Sequence, residues 1–428
     1  MSGATWRDHL PASWSAKPLR AVADYVVSNV DKVPAEDELP VRLCNYTDVY
    51  NNEFITLELD FMEGTATEAE IAKFGLAVDD VVITKDSESW DDIGVPALVV
   101  ETASDLVCGY HLALLRPRKQ DIYGPFLFRC LQAKPIRIQL ELSANGVTRF
   151  GLSKSEIGAM AVPVPPISQQ HAIADYLDRE TARIDALITA KKRALDLLDE
   201  KRRALITHIL TRGLDRSPSF RNSGIPWLAE IPSHWEVRRL AWLFRERDQR
   251  GEPDLPLLEV SINDGVVLRE FANDRIEATA SDFNTYKVAR CGDVVFNKMR
   301  MWQGAVGVAP QDGLVSPDYV VAEPTGAMAS KYAGLLFRMP AFSAECARHS
   351  HGIVWDRLRL YWEGFRDIEV PLPPLPEQSQ IVAQIDSEIA TLDHMSAFTK
   401  QSAALLEERR AALIAAAVTG HINVEAAA

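Results

Sequence analysis

The run from Val162 to Thr211, opening VPVPPISQQHAIADYL and closing EKRRALITHILT, decides how the rest of the chain is read. A shift of 208 residues lays it without a gap on Val370 to Thr419, VPLPPLPEQSQIVAQI at the start and ERRAALIAAAVT at the end. Of the 50 paired positions, 19 are identical. Pro163, Pro165 and Pro166 fall on Pro371, Pro373 and Pro374, Gln170 falls on Gln378, and Asp185 on Asp393. Two copies of one sequence pattern imply two copies of one structural unit, and such repeats outrank any local propensity.

Within the repeat the prolines mark a start, because the first N–H groups of a helix have no intrahelical partner to lose. Beyond them Leu177, Ile184, Ile188, Leu195, Leu198, Leu205 and Ile209 recur at spacings of three, four and seven. Ile385, Leu392, Leu406 and Leu413, with the smaller Ser396 and Ala403, continue the same seam in the second copy. Lys191 and Arg202 interrupt it. A seam of this period over about 40 residues predicts two long helices packed along their length. Both helices belong to one chain with a folded segment between them, so antiparallel pairing is the economical arrangement. Gly213 and Gly420 suit left-handed caps at their C-terminal ends.

Moving outward, Trp6, Pro11 and Trp14 match Trp227, Pro232 and Trp235 at a shift of 221. The duplication therefore includes the segments before the helices, the first being 13 residues longer than the second. DVVITK at Asp80–Lys85 and DVVFNK at Asp293–Lys298 are β-branched strand signals, each followed by a polar loop that carries Trp90 or Trp302. The expected fold is α+β: two globular mixed α/β domains separated by two long antiparallel helices, an intramolecular coiled coil in a tandem internal repeat. The expected boundaries are 1–163 for the first domain, 164–214 for the first helix and the linker start, 215–371 for the linker and second domain, and 372–428 for the second helix and C-terminal tail.

Composition excludes several classes. An apolar fraction of 47% with 25% charged residues belongs to an ordinary globular protein. The opening MSGATWRDHLPASW contains no apolar run, so no signal peptide is expected. No stretch reaches the ~20 apolar residues of a membrane span. Cys44, Cys108, Cys130, Cys291 and Cys346 form no CxxC pair, which points away from structural zinc and disulfides and toward a cytoplasmic location. The chain contains no phosphate-binding P-loop, no GxGxxG, no GxSxG elbow and no HExxH. Phe296 stands where a metal-dependent nuclease needs an acid before Lys298, and His349-Ser350-His351 reads as a polar turn. No catalytic or metal-ligating set is expected. The net charge of −14 opposes broad contact with phosphate. Residues 10–162 hold 14 basic and 23 acidic side chains, and residues 231–370 hold 17 and 20, so any DNA contact must use a local basic patch.

Two proline–glutamine–helix cassettes, the IPSHWEVRRL segment opening the second half, the ERRAALIAAAVTGHINV close and GDVVFNKMRMWQGAVGV followed by GLVSPDYVV together resemble the specificity subunits of type I restriction–modification enzymes. The resemblance covers essentially the whole chain. It implies a non-catalytic subunit whose two target-recognition domains each bind one half of a bipartite site in double-stranded DNA. It also implies two methyltransferase (M) subunits docked on the paired helices, which supply S-adenosylmethionine and methylate adenine, with restriction/translocase (R) subunits as further partners. No cofactor is expected on this chain, and no membrane partner. Another methylation-linked system of type IIB character is the alternative, and a stand-alone nuclease around Asp293 and Lys298 the more distant one.

The candidate DNA-contacting residues follow from donor chemistry at the shared strand end. Lys85 and Lys298 reach for phosphate, while Ser87, Asn297, Arg300 and Gln303 carry donors suited to base edges. Arg149 and Arg357, late in each domain, complete the set. The first domain reads TKDSESWDD where the second reads NKMRMWQG.

Overall fold

The two proline-led repeats fold as helices Ile167–Arg212 and Leu375–Val418 in the computed structural model, which describes residues 6–31, 33–215, 219–269, 283–352 and 358–424. Each helix is followed by a left-handed glycine, Gly213 at φ 73° and Gly420 at φ 78°. The chain forms two units, Met1–Arg193 with Thr399–Ala428, and Ala194–Phe398. Each unit thus owns one globular domain, one part of the first helix and the opposite part of the second.

In the first unit Ile414, Ala417 and Val418 share a core with Ile173 and Leu177, and Arg410 donates to Asp185 at 2.8 Å. In the second unit Ile209 and Leu210 share a core with Ile381 and Ile385, and Arg202 donates to Asp393 at 2.7 Å. Numbers rise along one helix as they fall along the other, so the pairing is antiparallel. Ile184, Ile188 and Leu392 are buried along the seam, whereas Leu195, Leu198 and Leu406 are only half-buried. Two helices alone cannot fully cover side chains that no domain packs upon. The interruption at Arg202 is filled by its ion pair with Asp393.

The first unit's main sheet runs in the order Ala23–Val27, Leu112–Pro117, Val81–Thr84, Pro96–Val99, Phe54–Ile55. The second unit's runs Phe244–Glu246, Tyr319–Pro324, Val294–Asn297, Val306–Val308, the same order without the last edge strand. The two β-branched runs are the buried inner strands of these sheets, since β-branched side chains fill both faces of a covered strand. The first unit adds a three-stranded sheet of Met62–Ala66, Leu39–Cys44 and Leu106–Cys108. The second has two separate ladders there, Leu258–Ser261 with Gly265–Leu268 and Lys287–Ala289 with Gly313–Val315.

The joint between domain and helix is built twice in the same way. Ser15–Pro18 pairs antiparallel with Ala161–Val164, and Glu236–Arg239 pairs with Glu369–Leu372 in the equivalent register. The indole of Trp14 donates to Gln169 Oε1 at 2.9 Å, and that of Trp235 donates to Glu377 Oε1 at 3.0 Å. Gln170 is fully buried: its Oε1 accepts from the Tyr123 amide, and its Nε2 donates to the carbonyls of Asp121 and Pro165. Gln378 makes the same three bonds to the Ala329 amide and the carbonyls of Ala327 and Pro373. Tyr123 and Ala329 each precede a core helix of their domain, so the glutamine satisfies an amide that the helix start leaves open. Among the described residues no helix is long and apolar enough to cross a membrane.

Candidate nucleic-acid interface

In both units the inner strand runs out into a loop that is closed at its base. In the first, Thr84 N donates to Val95 O at 3.0 Å; in the second, Asn297 N donates to Ala305 O at 3.1 Å. The backbone carbonyl of the lysine that follows is pinned alike, Lys85 O accepting from Leu152 N and Lys298 O from Leu360 N, both at 2.9 Å. The frame is common. What it presents differs.

The second unit's loop is closed by its own hydrogen bonds and is basic. Asn297 Oδ1 accepts from the Met299 amide at 2.9 Å, a local turn typical of asparagine. Buried Met301 anchors the following 3-10 turn, Gly304 ends it at φ 87°, and the Trp302 indole donates to Met299 O at 3.0 Å. Arg300 and Gln303 are exposed on this closed loop. Lys298 is half-buried, its Nζ 3.4 Å from Pro317 O and 6.0 Å from the Tyr361 ring. Arg359, exposed beside Met299 and bridged through its backbone to His351, adds a further cation. Asn297, Lys298, Arg300 and Gln303 therefore lie together, with Arg359, Tyr361 and His351 as neighbours that sequence reasoning missed. Arg357 lies outside the described residues.

The first unit gathers Lys85, Ser87 and Arg149 around an acid. The short strand Asp86–Ser87 pairs with Phe150–Gly151, whose hairpin carries exposed Arg149. Lys85 Nζ lies 2.8 Å from Asp86 Oδ2, and His111 Nδ1 lies 2.6 Å from the same oxygen. Burial alone raises the Asp86 carboxyl, yet hydrogen bonds from Lys85 and His111 hold it below the usual aspartate range. Ser87 is buried, and its Oγ accepts from the Ser89 amide. Arg149 Nη2 meets the His111 ring, 3.2 Å from Nε2. Around them stand exposed Trp90 and Tyr110 and the stacked pair Tyr46 and Tyr50, the latter donating to Asp92 at 2.6 Å. This face offers aromatic surface and one outward guanidinium rather than a run of cations. No sequence motif marks His111, which lies 38 residues from Arg149.

The acids near the second strand are occupied. Asp293 accepts from Arg247 Nε and the Arg290 amide, both at 2.8 Å, and burial raises its carboxyl despite those bonds. His349 bonds Glu345 at 3.2 Å. Among the described residues no group of three or more His, Cys, Asp or Glu is placed to hold a metal ion.

Comparison with known proteins agrees with this architecture. Residues 43–196 match the family model of the type I restriction modification DNA specificity domain. The putative type I restriction enzyme MjaX specificity subunit of Methanocaldococcus jannaschii is 23% identical over 232 residues, 54% of this chain and 52% of that protein. The chain thus spans about half the length of that relative. The type I restriction enzyme EcoKI specificity subunit of Escherichia coli strain K12 is 22% identical over 448 residues, 97% of this chain and 90% of that protein. A solved structure described as the basis of complex assembly and conformational transition of the type I R-M system contains a chain of the same fold, with TM-score 0.70, 17% identity, and coverage of 96% of this chain and 99% of that one.

Proposed function

We propose that this chain, a relative of the specificity subunits of type I restriction–modification enzymes, is the non-catalytic DNA-reading subunit of such a complex. Residues 1–163 and 215–371 act as target-recognition domains for the two halves of an asymmetric bipartite site. The helical segments 164–214 and 372–428 set the distance between those halves and seat two methyltransferase subunits. Those subunits bring S-adenosylmethionine and methylate adenine, and restriction subunits join the same assembly.

One observation carries this: joints built alike belong to two domains with unlike faces. The Trp14–Gln169 and Gln170 contacts reappear as Trp235–Glu377 and Gln378, yet the loops present Arg149 in one domain and Lys298, Arg300 and Gln303 in the other. A constant frame with divergent loops suits two readers of different sequence. Seating of two like partners has support in the helices. Exposed apolar positions recur at the 208-residue shift: Ile167 with Leu375, Leu187 with Met395, and Leu197 with Leu405. Each helix repeats the same exposed apolar positions, which suits docking of two copies of one protein.

The test is methylation in cells that express the chain with its methyltransferase, read by long-read detection of modified adenine. The expected product is a two-part asymmetric motif. Replacing residues 231–370 with another recognition domain is expected to change one half of it, and a change in both halves overturns the assignment of one domain to each half-site.

A further inference from the structure

Among the described residues only two non-glycine positions have positive φ, Asp79 at 74° and His111 at 71°. Asp79 precedes the inner strand where the second unit has Gly292 at φ 93°, so that conformation belongs to the shared fold. His111 is different. Strand pairing aligns Thr84 and Leu112 with Asn297 and Tyr319, which puts Asp318 in the place of His111. Asp318 is not in the left-handed region, so the fold does not demand it there. Strain of this kind persists where the surroundings enforce it and gathers at functional sites.

The surroundings are specific. Asp86 Oδ2 lies 2.6 Å from His111 Nδ1, and Lys85 bonds the same carboxylate, so the imidazole is fixed from one side. Tyr110 packs on the ring with centroids 3.8 Å apart. Arg149 Nη2 is 3.2 Å from Nε2 and 3.4 Å from Nδ1 of the ring. That contact engages one terminal nitrogen of a guanidinium that carries five N–H donors in a fixed fork, so donors remain for a further partner.

We infer that His111 is a positioning residue for sequence reading by the first unit: Asp86 and a left-handed backbone fix the imidazole, which holds the Arg149 guanidinium at the hairpin tip for a base edge in one half-site. The inference rests on the DNA-reading role proposed above. Arginine in this pose suits the two acceptors of guanine in the major groove.

The test uses the full chain in complex with its methyltransferase. The probes are a duplex carrying the site mapped from methylated adenines and duplexes with single base-pair changes in either half. The half read by the first unit is the one that exchange of residues 231–370 leaves unaltered. His111→Gly keeps the backbone conformation without strain and removes the ring, so it preserves folding, which thermal unfolding verifies. His111→Gly and Arg149→Ala are each expected to weaken binding of the mapped duplex about tenfold, and the double variant no further than either single one. Discrimination is expected to fall in the first unit's half-site alone, with partial rescue by His111→Asn, which tolerates the left-handed region and can donate to Asp86. Parental binding by His111→Gly, or losses that multiply in the double variant, overturns the inference while leaving the DNA-reading role intact. A parental complex that prefers no duplex over another overturns that role and the inference with it.

Discussion

Arg410 donates to Asp185 at 2.8 Å, and a shift of 208 residues turns that pair into Arg202 and Asp393, bonded at 2.7 Å. Their surroundings differ. Arg410 also donates to both oxygens of Glu53 and is 17% exposed, whereas Arg202 is 40% exposed with one carboxylate partner. Exposed pairs contribute about 0.2–1 kcal/mol, while removing one member of a partly buried cluster strands its partners. Arg202→Ala is expected to cost under about 1 kcal/mol and Arg410→Ala about 2 kcal/mol. Urea unfolding of the two variants checks the order.

The buried glutamines give a local readout. Replacing Gln170 by Ala leaves the Tyr123 amide and two carbonyls without their partner, at a cost of about 2–3 kcal/mol. Hydrogen exchange at the Tyr123 amide is expected to accelerate in Gln170→Ala and stay unchanged in Gln378→Ala, with the reverse at Ala329.

Acid titration separates Asp86 from its neighbours. Its carboxyl is held below its ordinary value in the folded chain, so on acidification the unfolded chain takes up the proton first. The stabilisation is complete above the ordinary value of about 4 and is lost as pH falls through the lower folded value. Asp86→Asn is therefore expected to flatten the acid limb of the first unit's stability below about pH 4, as followed by urea midpoints across pH.

On the second unit, Lys298→Ala and Gln303→Ala are expected to diverge. Loss of Lys298, the phosphate contact, weakens binding across sequences alike and lowers the salt slope by about one. Loss of Gln303 instead relaxes preference at one base pair. Competition binding at several salt concentrations distinguishes these.

Leu197→Glu and Leu405→Glu change exposed positions, so the lone chain is expected to keep its unfolding midpoint. Each is expected to weaken methyltransferase docking about tenfold or more, through loss of apolar contact and burial of a charge. Analytical ultracentrifugation of the mixed subunits reads the result.

The framework was legible because its signals are periodic or duplicated. The seam from Leu177 to Ile209, the glycine caps and the inner strands all follow from spacing and residue type. The faces were legible only in part. Asn297, Lys298, Arg300 and Gln303 are consecutive or nearly so, and a closed loop keeps them together. Lys85 and Ser87 are also neighbours in sequence, but pairing of Asp86–Ser87 with Phe150–Gly151 buries the serine, and the adjacent Asp86 engages the lysine. His111 depends on a backbone conformation that no sequence pattern announces. Its partners are brought to it by strand pairing across 25 and 38 residues.

The crossed bridges have one more consequence. Asp185 meets Arg410 while Arg202 meets Asp393, so each half of the chain supplies an aspartate and an arginine that find their complements at the equivalent positions of the other half. Contacts of that reciprocal form belong to isologous interfaces, in which one surface is its own complement. Each unit thus holds one bridge of the reciprocal pair. Cohesion of this kind asks the two repeats to be alike only along the seam, and leaves each hairpin and loop at the domain faces free to diverge alone.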